Sequence, residues 1–205
     1  MQLIGMLDSP YVRRAAISMH LLGIPFEHRS LSVFRDFEAF GQINPLVKAP
    51  TLVCDDGEQL IESSLIIDYA QSLAAPGRNL MPSEPRARRQ ALRLIGLALV
   101  ACEKSVQIVY EHKRPSALHY TPWLERVQAQ LQQAYAALER EIAPIETPWL
   151  WGGATPSQAD ISVTVAWGFT QLTLPEQIRA TEHPALAAYA ARAERLPAFA
   201  AYPVG

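Results

Sequence analysis

The chain has 205 residues, with 18 Lys and Arg against 20 Asp and Glu and a formal net charge of −2. That length fits one large domain or two small packed ones, and a hydrophobic fraction of 49% supplies enough apolar material for a sizeable core, so intrinsic disorder is disfavoured. With charges balanced and no block of five like charges, a broad nucleic-acid surface is disfavoured too. Two cysteines without CxxC spacing, Cys54 and Cys102, suggest neither a disulfide framework nor a thiolate zinc site, and a reducing, cytoplasmic setting is expected.

Met1 to Met6 is a short apolar strand. Asp8-Ser9-Pro10 starts a helix, with Pro10 suited to its first position and Gly23 closing the far end. Phe26 to Leu31 alternates like a strand, and a helical stretch over Asp36 to Gln42 is stopped by Asn44-Pro45. Thr51 to Val53 and Glu58 to Ile61 flank Asp55-Asp56-Gly57, a hairpin signal, and Ser63 or Ser64 introduces the next helix. The first two strands, joined by a helical crossover, should be parallel, whereas the hairpin should be antiparallel.

Ala74 to Pro85 holds three prolines and a glycine and reads as a linker, after which helical patterning dominates. The expected division is residues 1–75, a linker over 76–85, and an all-helical domain over 86–205. Leu92, Ile95, Leu99, Cys102, Val106 and Val109 recur every three or four residues and predict one buried face of a long helix ending before Pro115. The apolar run Leu94 to Cys102 is about half the length needed to span a bilayer, so no membrane span is expected, and the N-terminus does not read as a signal peptide. Trp123 to Ile142 is a second helix. Ser157-Gln158-Ala159-Asp160 is a capping-box start for a third, and Pro184 to Leu196 is the last strong one.

Three strand-to-helix junctions carry candidate chemistry. Ser9 would place its hydroxyl beside unpaired amides and the positive end of a helix dipole; a plain N-cap is the alternative. Glu62-Ser63 offers a carboxylate beside a hydroxyl and an amide at a helix start, matching the ammonium and carboxylate of a free amino-acid end, although a helix cap accounts for it equally. Ala49-Pro50 enters a hairpin strand, where a cis proline would leave the Ala49 backbone to pair with a peptide ligand and a trans proline would merely open an edge strand. Arg13 and Arg14, one helical turn after Ser9, are candidates to brace a domain interface or to lie on a solvated face. The five histidines lack close metal-ligand spacing, so no metal is expected.

The order SPYVRRAAISMHLLGIPFE, then NPLVKAPTLVCDDGEQLIESSLIIDY, then a helical half with SQAD before IS, resembles the cytosolic glutathione transferase family over essentially the whole chain. The resemblance implies a thioredoxin-like domain with a mixed sheet (α/β), followed by an all-α helical bundle. It also implies glutathione as co-substrate, a hydrophobic electrophile and a homodimer. By position, Pro50 resembles the family's cis proline, and Glu62 and Ser63 its γ-glutamyl site. Lys48 resembles a position that can reach the glycine carboxylate, and Ala49 the backbone partner of the cysteinyl unit. Ser9 resembles the hydroxyl residue with which serine-type classes activate the thiol, the individual class being unassigned.

A serine in place of cysteine argues against a mixed-disulfide mechanism, because a hydroxyl cannot exchange with a disulfide. Cys54 and Cys102 are expected as small buried hydrophobes. For the electrophile, Tyr110 is the leading candidate, with helix packing as its alternative role and His112, Arg114, Trp167 and Tyr202 behind it. A glutathione-dependent isomerase or dehalogenase, or a non-enzymatic interaction protein on the same fold, are the other functions compatible with the residues.

Overall fold

The computed structural model describes Met1–Val204. Strand β1 (Gln2–Ile4) leads into helix α1 (Pro10–Leu22). Pro10 takes the first turn, where its missing N–H costs nothing, and Gly23 ends the helix at φ 74°. The N–H of Gly23 reaches the His20 carbonyl and that of Ile24 the Met19 carbonyl, satisfying acceptors that the last turn leaves open. Strand β2 (Glu27–Arg29) pairs parallel with β1, and a short helix α2 (Phe37–Ile43) follows. Strands β3 (Thr51–Val53) and β4 (Gln59–Ile61) form the antiparallel hairpin, with Gly57 supplying φ 89° in the turn, and helix α3 (Ser63–Leu73) completes the set. The sheet order is β2-β1-β3-β4. Helices α1 and α3 pack together, and Leu3, Ile4, Val12, Ala16, Leu52 and Ile66 are fully buried.

The chain divides into two compact units: Met1–Leu80 together with the stretch from Leu196 onward, and Met81–Arg195. The loop from Ala74 to Glu84 falls where proline and glycine cluster. The C-terminal stretch differs from the expected division, which assigned it to the helical half. Its short helix α8 (Pro197–Ala200) packs on α1, and the Tyr202 carbonyl accepts a hydrogen bond of 2.7 Å from Arg13 Nε.

The second unit contains α4 (Pro85–His112), α5 (Thr121–Ile142), α6 (Gln158–Thr173) and α7 (Pro184–Ala193). The Glu84 carboxylate caps α4 by accepting from the N–H groups of Arg86 and Ala87, which hold its pKa below the ordinary glutamate value. Helix α4 packs against α5 and α6, and α6 in turn against α7.

The buried face of α4 shares Ile95 and Cys102 with the predicted one but is turned away from its other four residues. Leu92 is 54% exposed and Leu99, Val106 and Val109 are only half-buried, whereas Ala91, Leu94, Ile95, Ala98, Ala101, Cys102, Ser105 and Ile108 are buried. Periodicity drawn through the large apolar residues missed a face built on alanines, whose small side chains let helices approach closely. The last predicted helix also stops early, at Ala193 rather than Leu196. Pro197 disfavours helical backbone at Leu196, which is extended at ψ 142° and caps α8 instead.

The capping box forms as expected. The Ser157 hydroxyl accepts from the Asp160 N–H at 3.4 Å and the Asp160 carboxylate accepts from the Ser157 N–H at 2.6 Å. Buried Asp160 also accepts from the Leu150 N–H and from the Tyr189 hydroxyl. No helix among the described residues is long and apolar enough to cross a membrane.

Candidate functional site

Strand register brings the candidate junctions to one end of the sheet. Ile4 pairs with Thr51, and Thr51 with Ile61. The backbone leaving β1, the backbone entering β3 and the backbone leaving β4 therefore emerge side by side at one end of the sheet. All three junctions singled out in the sequence lie there. Gly5 lets the first two approach: at φ 137° it holds a conformation that favours glycine, and a Cβ there would lie 2.6 Å from Val12 Cγ2 and 3.0 Å from Ala49 Cβ.

Ser9 is the N-cap of α1, and its Oγ accepts from the Val12 N–H at 3.5 Å, a long capping contact. Among the described residues, no acceptor takes the hydroxyl's own hydrogen. The hydroxyl therefore sits at a positive helix end with a donor available.

The loop before β3 is shaped by two residues that the sequence reading did not select. Asn44 Nδ2 donates to Thr51 Oγ1 at 2.9 Å while Asn44 Oδ1 accepts from the Leu46 N–H, and Thr51 Oγ1 donates to the Lys48 carbonyl at 2.7 Å. Both side chains are buried, so the loop bearing exposed Lys48 is tied down from inside. The Ala49-Pro50 bond is cis. No hydrogen bond engages the N–H or C=O of Ala49 among the described residues.

Glu62 caps α3 at φ 72°. Its Oε2 accepts from the Ser64 N–H at 3.0 Å and its Oε1 from the Ser63 hydroxyl at 3.3 Å. Buried Arg14 of α1 reaches the same junction, with Nη1 donating to Ser63 Oγ at 2.9 Å and Ser64 Oγ at 3.0 Å. Neither arginine lies on a solvated face. Arg14 ties α1 to the start of α3, and Arg13 ties it to the C-terminal stretch, both within the first unit. A run of two arginines on a helix gives no sequence signal for this, because only the third dimension supplies their partners. The chain's two non-glycine residues at positive φ among those described, Val47 (47°) and Glu62, flank this end of the sheet, the kind of place where strained backbone collects around a site.

Cys54 is half-buried rather than buried. Burial pushes its thiol pKa up, against a hydrogen bond from Tyr69, so it is poorly suited to act as a nucleophile at neutral pH. Cys102 is buried as expected.

In the second unit, Tyr110 lies in the last turn of α4, 47% exposed, with Lys113 Nζ 5.7 Å from its ring centroid. Trp167 is buried, with its ring 5.6 Å from that of Tyr135. Tyr202, in the first unit, stacks on Phe26 at 5.8 Å. The described residues include no cluster of three or more His, Cys, Asp or Glu suited to a metal.

Residues 3–78 match the glutathione S-transferase N-terminal domain and residues 121–192 the C-terminal domain. The chain is 29% identical to the uncharacterized GST-like protein YibF of Escherichia coli K12 over 68% of each chain. It is 28% identical to glutathione transferase GST 23 of Zea mays over 44% of this chain and 40% of that one. Among solved structures, a glutathione S-transferase of Methylobacterium radiotolerans in complex with glutathione sulfonate is 28% identical, with a TM-score of 0.89 over 98% of this chain and 93% of that one. A glutathione transferase family member of Pseudomonas fluorescens Pf-5 with bound glutathione is 28% identical, with a TM-score of 0.82 over 100% and 98%. Matched in both halves by sequence and over nearly its full length by structure, the chain belongs to the glutathione S-transferase family.

Proposed function

We propose that the protein is a glutathione transferase that binds glutathione at the end of the mixed sheet and activates its thiol for attack on a hydrophobic electrophile. The observation that carries this reading is the strand register, which brings the junctions bearing Ser9, Ala49-Pro50 and Glu62-Ser63 to the same end of the sheet. Solved relatives with bound glutathione or glutathione sulfonate support it.

In this reading Glu62 receives the γ-glutamyl ammonium, while the Ser63 hydroxyl and N–H receive its carboxylate at the start of α3. Ala49 pairs through its backbone with the cysteinyl unit like an added strand, which places the sulfur toward the start of α1, and Lys48 reaches the glycine carboxylate. Arg14 is a positioning residue, since it holds the Ser63 hydroxyl.

The chemistry asked of Ser9 is small. A free cysteine-type thiol has a pKa of about 8.5, so little of it is thiolate at neutral pH. A serine cannot take the proton as a strong base, but its O–H can donate to the thiolate while the helix terminus adds a favourable dipole. One unit of pKa lowering needs about 1.4 kcal/mol, within reach of such contacts. Tyr110 supplies a ring face and a hydroxyl for the electrophile. Assembly as a homodimer fits the same reading: Leu97 and Val100 of α4, with Ala129 and Ala134 of α5, line an apolar groove of about 390 Å³ that a second copy would cover.

The deciding experiment titrates the protein with glutathione while following thiolate absorbance, in parent and Ser9→Ala. Binding should persist in the variant, the bound thiol's pKa should rise, and conjugation at neutral pH should fall and partly recover at higher pH. An unchanged thiol pKa and rate would reduce Ser9 to a helix cap.

A further inference from the structure

The first unit carries a second cavity, away from the candidate glutathione site. It has a volume of about 480 Å³, within the range of small-molecule pockets, and lies where β1 begins and α1 and α3 end. Leu22 and Ile24 are buried in its lining, Pro25 and Leu73 are exposed beside them, and Met1 and Arg78 also line it. Gly5 follows the other end of β1, and Ser9 caps the other end of α1. The 13 residues of that helix set the two places about 20 Å apart.

Few charged groups face this cavity. No carboxylate lines it, and the Met1 α-ammonium is taken by the Asp55 carboxylate. Arg78 is different: among the described residues no acceptor takes a side-chain N–H of Arg78 and no carboxylate pairs with it. Its backbone is nevertheless fixed. The Arg78 N–H donates to the Ala75 carbonyl at 3.0 Å, Gln71 Nε2 donates to the Arg78 carbonyl at 2.9 Å, and Gln71 Oε1 accepts from the Leu80 N–H at 3.0 Å. The guanidinium lies over Gly23, where a Cβ would collide with Nη1, so the missing side chain at the helix end makes room for it.

A cation carried on fixed backbone beside leucine, isoleucine and proline side chains suits a ligand with an apolar body and one terminal anion. A neutral ligand would leave the guanidinium unused, and a cationic one would be repelled. We propose that this cavity binds small amphipathic carboxylates, alkyl chains of medium length ended by a carboxylate, with Ile24, Pro25 and Leu73 holding the chain and Arg78 forked onto the anion. The site is separate from the thiol chemistry and stands whether or not the protein conjugates glutathione. The alternative role for Arg78 is to complement the negative end of the α1 dipole, which needs no ligand.

The test titrates the isotope-labelled full chain with octanoate and with octanol, following backbone amides by heteronuclear NMR. Octanoate should shift the signals of Gly23, Ile24 and Leu73, leave those of Ser9, Ala49 and Ser63 in place, and do so equally with glutathione present. It should bind about fivefold more tightly than octanol, the size of one exposed ion pair, and added salt should reduce that preference. Arg78→Met should remove the preference and Arg78→Lys should keep most of it. Leu73→Glu, which puts a carboxylate on the apolar wall, should weaken both ligands.

Shifts centred on Ser9 and Ala49, or displacement of octanoate by glutathione, would overturn the proposal by assigning the carboxylate to the glutathione site. Absent binding, equal affinity for the two ligands, a preference that survives Arg78→Met, or no effect of Leu73→Glu would overturn it as well, leaving Arg78 to the helix dipole.

Discussion

The two units build their important features from opposite materials. In the first, the candidate site lies where three short strands end, amid unusual backbone: a cis bond at Ala49-Pro50, positive φ at Val47 and Glu62, and a glycine at Gly5 where no side chain fits. In the second, regular helices dominate and the decisive contacts are side-chain packing and one buried capping box. Special backbone is marked in the local sequence where glycine carries it, as in the Asp56-Gly57 turn, whereas positive φ at Val47 and Glu62 leaves no such mark. Where packing decides, many residues would serve, and the partner chosen is invisible along the chain.

The sharpest challenge to that contrast is Asp160→Ala. Three donors lose this acceptor, the buried Tyr189 hydroxyl and the half-buried N–H groups of Ser157 and Leu150. With an unsatisfied buried donor costing about 1–3 kcal/mol and a lost cap about 1, the destabilisation should reach about 2–4 kcal/mol. Urea denaturation followed by tryptophan fluorescence would measure it. A loss within about 0.5 kcal/mol would mean that the second unit does not depend on this junction.

Next in size is the proposed γ-glutamyl site. Glu62→Ala and Ser63→Ala should each weaken glutathione binding by about 1.5–3 kcal/mol, roughly tenfold or more in Kd, because each removes one half of a zwitterion site. Calorimetry on folded variants gives the answer. Unchanged affinity in both would return Glu62 and Ser63 to capping alone.

The smallest effects separate the two candidate faces of α4. Ala98→Leu forces added volume into a fully buried position and should cost about 1–3 kcal/mol. Leu92→Ala, on the exposed side, should stay within about 0.5 kcal/mol despite removing the larger side chain. A reversed order in thermal or urea unfolding would reinstate the face drawn through the large apolar residues.

Much of the architecture was legible because local rules carry it. Pro10 and Gly23 bound α1, Asp-Gly marked the hairpin, and Ser157 with Asp160 marked the start of α6, each through backbone chemistry confined to a few residues. The junctions at Ser9, Ala49-Pro50 and Glu62-Ser63 were visible for the same reason. Tertiary structure alone decided what sits behind them. Arg14 finds Ser63 49 residues away, Asn44 and Thr51 tie the loop from within, and Arg13 draws the C-terminal stretch onto α1, since hydrogen-bond partners far apart in sequence leave no periodicity to detect. The small-residue face of α4 was likewise settled in three dimensions, because an alanine is apolar enough for either side of a helix and only close approach to α5 and α6 shows which side it serves.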